Sequence, residues 1–222
     1  MQLGQILRIF RDKGCRRVIA KPLSANDNSK NQVYFGPDFG VLNIFPNLNI
    51  SPHSTGTHGD VFKAPLPLFW VGDDGTAFPA PTAQIILYPQ YPEVRFSGFL
   101  KGCKGAPSDL MTTRLAGRLL LMGIHPDGRV FGYAASRDDE LTVEYGSKKN
   151  LRSHGVFTDL PLPGEASDTR NALLRELQRV TNLSWINSKR LTSDGRIIEY
   201  KAPNGGGYTL EAELGITPNG FS

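Results

Sequence analysis

Short apolar runs recur between residues 66 and 135, each bounded by turn-forming residues, and this pattern excludes most of the folds open to 222 residues. The runs are Leu66–Val71, Gln84–Tyr88, Val94–Gly98, Arg118–Ile124 and Val130–Ala135. Each is too short to be an ordinary helix, and Gly72–Gly75 and His125–Gly128 have the composition of turns. The Asp127-Gly128 pair between two apolar runs predicts a β-hairpin. Many short strands with few helices predict a mainly β fold with short helices, closed or nearly closed into a barrel. Helical spacing is confined to the two ends. Met1–Phe10 has apolar residues at 3, 6, 7 and 10, and Asp168–Val180 has them at 173, 174, 177 and 180, with Asp168 as the capping candidate.

A hydrophobic fraction of 39% with 21% charged residues suffices for a core and contains no apolar run able to cross a bilayer. No basic-then-apolar leader precedes the opening helix, so the expected location is cytoplasmic, with no membrane partner. Cys15 and Cys103 belong to no paired motif and read as small buried hydrophobes. His53, His58 and Asp60 fall in a Gly/Ser/Thr loop, read here as 51–60, that offers no scaffold for a metal, and no metal site is assigned. Residues 205–207 are three glycines, but no Lys and Ser/Thr follow them as a phosphate-binding loop requires.

Polar chemistry concentrates between two strand-like runs, Arg17–Ala20 and Val33–Phe35. The segment holds Asn26, Asp27, Asn28, Lys30, Asn31 and Gln32. Amides present a donor and an acceptor side by side, the pattern that reads adenine in the major groove, while Arg and Lys read guanine. The same residues are also those of a long turn whose Asn and Asp side chains bond their own backbone. Upstream, Arg8, Arg11, Lys13, Arg16, Arg17 and Lys21 face only Asp12. The net charge of +4 arises entirely within residues 1–160, which carry 18 basic and 14 acidic residues, against 7 and 7 in 161–222. A basic patch beside hydrogen-bonding side chains suits phosphate contacts that position and base contacts that specify, though it also describes a solvated helix face. A second polar set, Gln90, Tyr91, Glu93 and Arg95, lies around the loop after Tyr88.

Lys21-Pro-Leu-Ser-Ala-Asn-Asp27 with Gln32-Val33, and later Val94–Gly98, Gly117–Leu121 and Gly128–Ser136, resemble the DNA-binding effector domain of EcoRII-type restriction endonucleases over residues 15–160. The resemblance implies a B3-like pseudobarrel whose N-terminal arm, Ser24–Gln32, and C-terminal arm, Gln90–Ser97, enter the major groove. Trp185, Lys189-Arg190, Gly206–Glu211, Leu214–Ile216 and Asn219 resemble the start of the MvaI/BcnI nuclease family over residues 170–222. There Glu211 falls at one metal-binding carboxylate position of a PD-(D/E)XK-type α/β domain, but the downstream Asp and Glu-x-Lys are missing. The combination resembles UbaLAI-like type IIE restriction endonucleases, monomeric enzymes whose relatives recognise CCWGG.

The resulting expectation is an effector domain over 1–160, a linker over 161–169 and a truncated nuclease start over 170–222. Its partner would be double-stranded DNA, it would act as a monomer, and DNA binding would require no cofactor. Mg2+ would serve only the complete nuclease, since one carboxylate cannot both hold the cation and stabilise the transition state. Asn26, Asp27, Asn28, Asn31, Gln32, Gln90, Glu93 and Arg95 are the base-reading candidates, and Lys21, Ser24, Ser29, Lys30, Tyr91 and Ser97 contact phosphates or position the arms. The alternatives are a magnesium-dependent endonuclease acting through Glu211 and a B3-like regulator without nuclease.

Overall fold

A computed structural model describes residues 1–25, 32–37, 39–54, 60–91, 93–163, 169–192 and 196–216. The chain is mainly β. Helix α1 (Leu3–Asp12) leads into β1 (Arg17–Leu23), β2 (Val33–Gly36), a 3-10 helix (Phe39–Ile44), β3 (Ser51–Ser54), β4 (Asp60–Pro65), β5 (Leu68–Val71), β6 (Ala77–Ala80), β7 (Gln84–Tyr88) and β8 (Glu93–Ser97). Then follow α2 (Ser108–Thr112), β9 (Arg118–Ile124), β10 (Val130–Ala135), α3 (Glu140–Ser147), β11 (Ser153–His154) and β12 (Phe157–Leu160). The C-terminal segment contains α4 (Thr169–Asn182), β13 (Lys189–Leu191), β14 (Ile197–Glu199) and α5 (Gly205–Glu213).

The strands of the first part divide into a seven-stranded sheet, β11-β12-β1-β9-β10-β5-β6, and a five-stranded antiparallel sheet, β2-β8-β7-β4-β3. Between them lies a core in which Phe35 meets Phe96 at 5.1 Å and Phe157 at 4.9 Å, centroid to centroid. Trp70 sits in the same core and donates its indole N–H to the Phe99 carbonyl at 2.6 Å, so the ring is buried without an orphaned donor. A second core joins the other face of the seven-stranded sheet to α1 and α3, through Leu3, Ile6, Leu7, Phe10, Val18, Leu121 and Leu141. Central strand β9 thus has apolar cover on both faces, which is why its sequence is a continuous apolar run rather than an alternating one.

No closed barrel forms among the described residues. Both edges of β1 are taken, by β9 and β12, so β2, although next in the chain, finds no edge there and begins the second sheet. The expected hairpin is present, with Val130 opposite Ile124 and Gly128 at φ +99°. Residues 51–54 and 60, expected as part of a loop over 51–60, instead supply β3 and the start of β4, while 55–59 lie outside the described residues. Ser, Pro and His are poor strand formers, but pairing to β4 imposes the conformation, and an edge strand tolerates Pro52 because its outer N–H groups need no partner. Cys15 is buried and its thiol is pushed up to about 12 by burial, whereas Cys103 is only half-buried.

Helix α4 appears where the spacing predicts it, yet its apolar stripe has no cover among the described residues. Leu173, Leu174 and Leu177 remain 55%, 50% and 39% exposed, where a packed helix would hide them. The capping candidate Asp168 lies outside the described residues. None of the helices is long and apolar enough to cross a membrane, among the described residues.

Candidate nucleic-acid interface

Two polar connections flank strand β8. One leaves β1 at Leu23 and returns at Gln32 before β2; the other is the turn from Tyr88 to Glu93 between β7 and β8. Antiparallel pairing places Val33 opposite Phe96 and Tyr88 opposite Glu93. The bases of the two connections are therefore three β8 residues apart, about 10 Å along the strand. Asn26, Asp27, Asn28, Ser29, Lys30 and Asn31 lie outside the described residues. Ser24 is exposed, Gln32 is half-buried, and Gln90 and Tyr91 are exposed on the second turn, Tyr91 at 71%.

Alternation along β8 decides what this surface presents. Val94 and Phe96 enter the core, so Glu93, Arg95 and Ser97 occupy the outer face. Arg95 donates from Nε to one Glu93 oxygen at 2.9 Å and from Nη2 to the other at 3.0 Å. Such a two-point contact fixes the plane of the guanidinium and uses its side edge. The end edge, from Nη1 to the second Nη2 hydrogen, remains for another acceptor. Register sets Arg95 in one row across the outer face, Tyr34–Arg95–Ile86–Lys63–Ser51. Tyr34 and Lys63 were missed by sequence reasoning. The only signal for Lys63 was the alternation Val61-Phe62-Lys63-Ala64, whose strand was itself not foreseen.

A second omission is Arg118, the buried charged residue of this region at 3% exposure. Its guanidinium donates to the carbonyls of Leu115 at 2.6 Å, Leu110 at 2.5 Å and Ser24 at 3.0 Å, while Gly117 N–H donates to Leu23 O at 2.9 Å. The first arm is thereby bolted at its base to α2 and β9. At the far end of β8, Gly98 has φ +70°, and a Cβ there would lie 2.0 Å from the Thr82 carbonyl oxygen. Only glycine fits that turn.

Lys21 shares the face of β1 that carries Ile19 and Leu23. It is half-buried, burial alone lowers its ammonium from the ordinary value, and it has no acceptor among the described residues. The rest of the basic cluster does not gather at the arms. Arg8 is exposed on α1, behind the seven-stranded sheet; Arg11 pairs with Asp12, and Lys13 stands 5.6 Å over the Phe131 ring. Arg17 pairs with Asp159 at the opposite end of β1. Adjacency in sequence is lost because β1 spans seven residues, about 20 Å when extended.

Glu211 lies on α5, and one of its carboxylate oxygens is buried with no partner. Nearby in the chain, Glu213 is bonded to Lys189 and, at 3.1 Å, to Arg179. No group of three His, Cys, Asp or Glu side chains could hold a metal among the described residues. Divalent-cation binding is poorly served by one carboxylate, so these residues do not fit a Mg2+ centre by themselves. His53 is exposed on edge strand β3, while His58 lies outside the described residues.

The Glu213 carboxyl is held below its ordinary value of 4.5, first by the Lys189 bond and further by Arg179. A depressed carboxylate stabilises the fold above the unfolded value, and that stability disappears as pH falls through the folded one. Protection factors of residues 205–213, taken relative to the intrinsic exchange rate at each pH, are therefore expected to fall on acidification below pH 4.5 in the parent chain. In Glu213→Gln the protection factors should be low already at neutral pH and change little with acid. An unchanged acid response in the variant would refute the assignment.

No family model, curated protein or solved structure matches this chain.

Proposed function

We propose that residues 1–160 form a sequence-specific double-stranded DNA-binding module, a B3-like pseudobarrel serving as effector domain of a type II restriction endonuclease that recognises CCWGG. The observation that carries this reading is Arg95. It stands on an outward sheet face between two polar connections, with one edge held by Glu93 and the other available. Guanine presents O6 and N7 as adjacent acceptors in the major groove, which match the free edge of such a guanidinium. The amide-rich arm and Gln90 would supply further base contacts, and Tyr91, Ser97 and Lys21 would meet the backbone.

Lys21 supports the phosphate role because a half-buried ammonium with no acceptor among the described residues gains on meeting an anion. Lys21→Met should lower affinity for cognate and scrambled duplexes alike and reduce the slope of log K against log salt by about 0.9, one phosphate's share. A loss confined to the cognate duplex would instead make Lys21 a base reader.

Residues 170–222 are proposed as the beginning of an MvaI/BcnI-type nuclease domain, which would need Mg2+ and carboxylates from beyond this chain to cleave. The uncovered stripe Leu173, Leu174 and Leu177 is consistent with a helix awaiting the rest of its domain. The test is a titration of the chain as a monomer against a CCWGG duplex and a scrambled one, at two salt concentrations with magnesium present. Tight binding to CCWGG without cleavage is expected. Equal, strongly salt-dependent binding to both would overturn the recognition sequence, and cleavage would revive a nuclease centred on Glu211.

A further inference from the structure

At the end of β1 away from the arms lies a cleft of about 860 Å³, between β1 with β11 and β12 on one side and the 3-10 helix on the other. Its polar groups are unevenly matched. Asp159 gives one oxygen to Arg17 Nε at 2.7 Å and the other to His154 Nε2 at 2.9 Å, so each of its oxygens already has a partner. Arg16 and Arg152 also line the cleft, are exposed, and have no side-chain partner among the described residues. Among the described residues, three arginines and one carboxylate line the cleft, and that carboxylate is already engaged. Val41, Leu162 and Ile216 give the remaining wall apolar surface, with Asn43 as a polar group among them.

We infer that this cleft is a phosphate-binding site for a ligand of nucleotide size. Planar guanidinium groups bind phosphate oxygens in pairs, and Arg16 and Arg152, which have no side-chain partner among the described residues, are placed to do so. Arg17 is held in place by Asp159 and sets the field without being consumed. An apolar wall beside the cationic one suits a base or sugar, and the volume lies within the range of small-molecule sites, about 300–1,000 Å³. The phosphate can belong to a free nucleotide or to the 5′ end of a DNA strand. The site is independent of the arms, because the length of β1 separates them.

The experiment is calorimetric titration of the full chain with deoxyguanosine monophosphate, deoxyguanosine, inorganic phosphate and acetate, and with a scrambled duplex carrying either 5′-phosphate or 5′-hydroxyl ends. The monophosphate should bind, deoxyguanosine should not, and inorganic phosphate should compete better than acetate. Arg16→Ala/Arg152→Ala should weaken the monophosphate by about tenfold or more, as loss of charge-assisted bonds requires. Arg95→Ala should leave it unchanged, which separates this site from the proposed base-reading surface. Preference for the 5′-phosphorylated duplex over the free nucleotide would assign the phosphate to a DNA end. Absence of saturable binding by any phosphate, equal competition by acetate, or an unaffected double variant would overturn the inference.

Discussion

Arg118→Met lowers the unfolding free energy by about 3 kcal/mol and loosens the first arm, because it removes three charge-assisted bonds from a residue that is 3% exposed. Methionine preserves much of the length and fills the space, but Leu110, Leu115 and Ser24 lose the donor that satisfies their carbonyls. Relief from burying a guanidinium offsets part of the loss, since burial already lowers the Arg118 pKa. The net effect remains destabilising because three part-buried carbonyls lose a charged donor at once. A denaturant titration should show a lower midpoint with an unchanged slope. Arg118→Lys restores the charge but reaches fewer carbonyls, so it should fall between the two. Under the proposed function, the same variant weakens CCWGG binding more than scrambled binding, since Ser24 begins the arm and Arg118 itself faces inward. A shift below about 1 kcal/mol, the value of one ordinary hydrogen bond, would mean the three carbonyls find other donors.

Arg95→Ala weakens binding to the CCWGG duplex by about 1–3 kcal/mol, or roughly fivefold to 150-fold, and weakens scrambled DNA much less. Part of that loss would come from Glu93, which the substitution leaves unpaired on the outer face, where it would repel guanine acceptors and phosphates alike. Glu93→Ala on the Arg95→Ala background should therefore recover some affinity for both duplexes. It should recover no specificity. Coupling measured in such a double-mutant cycle separates the repulsion from the lost guanine contact. Equal weakening of both duplexes by Arg95→Ala alone would reduce the residue to an electrostatic role and sink the base-reading assignment.

Much of the architecture is legible in local chemistry. The run Arg118–Ile124, the Asp127-Gly128 turn and Val130–Ala135 reappear as β9, turn and β10 with the same limits, because a tight turn between two apolar runs needs no distant partner to define it. Helix α1 follows equally from its period, whose apolar positions 3, 6, 7 and 10 are all buried. The strands β3 and β4 were not legible. Their residues form strands because β7 offers an open edge, and a pairing energy supplied by a neighbour leaves no mark on the paired sequence.

For the candidate site the division is sharper. Sequence alone determined that polar, hydrogen-bonding residues cluster in two connections and that Arg95 belongs to an alternating strand, since residue type and period are local properties. Tertiary structure decided that Glu93 holds Arg95, that Tyr34 and Lys63 share its row, and that Arg118 turns inward to clamp the arm. It also dispersed the basic cluster, sending Arg8, Arg11 and Lys13 behind one sheet and leaving Lys21 alone near the arm. The physical reason is that register and sheet order arise from pairing between distant segments, so charges adjacent along the chain can lie about 20 Å apart in an extended strand, while residues 60 positions apart become neighbours.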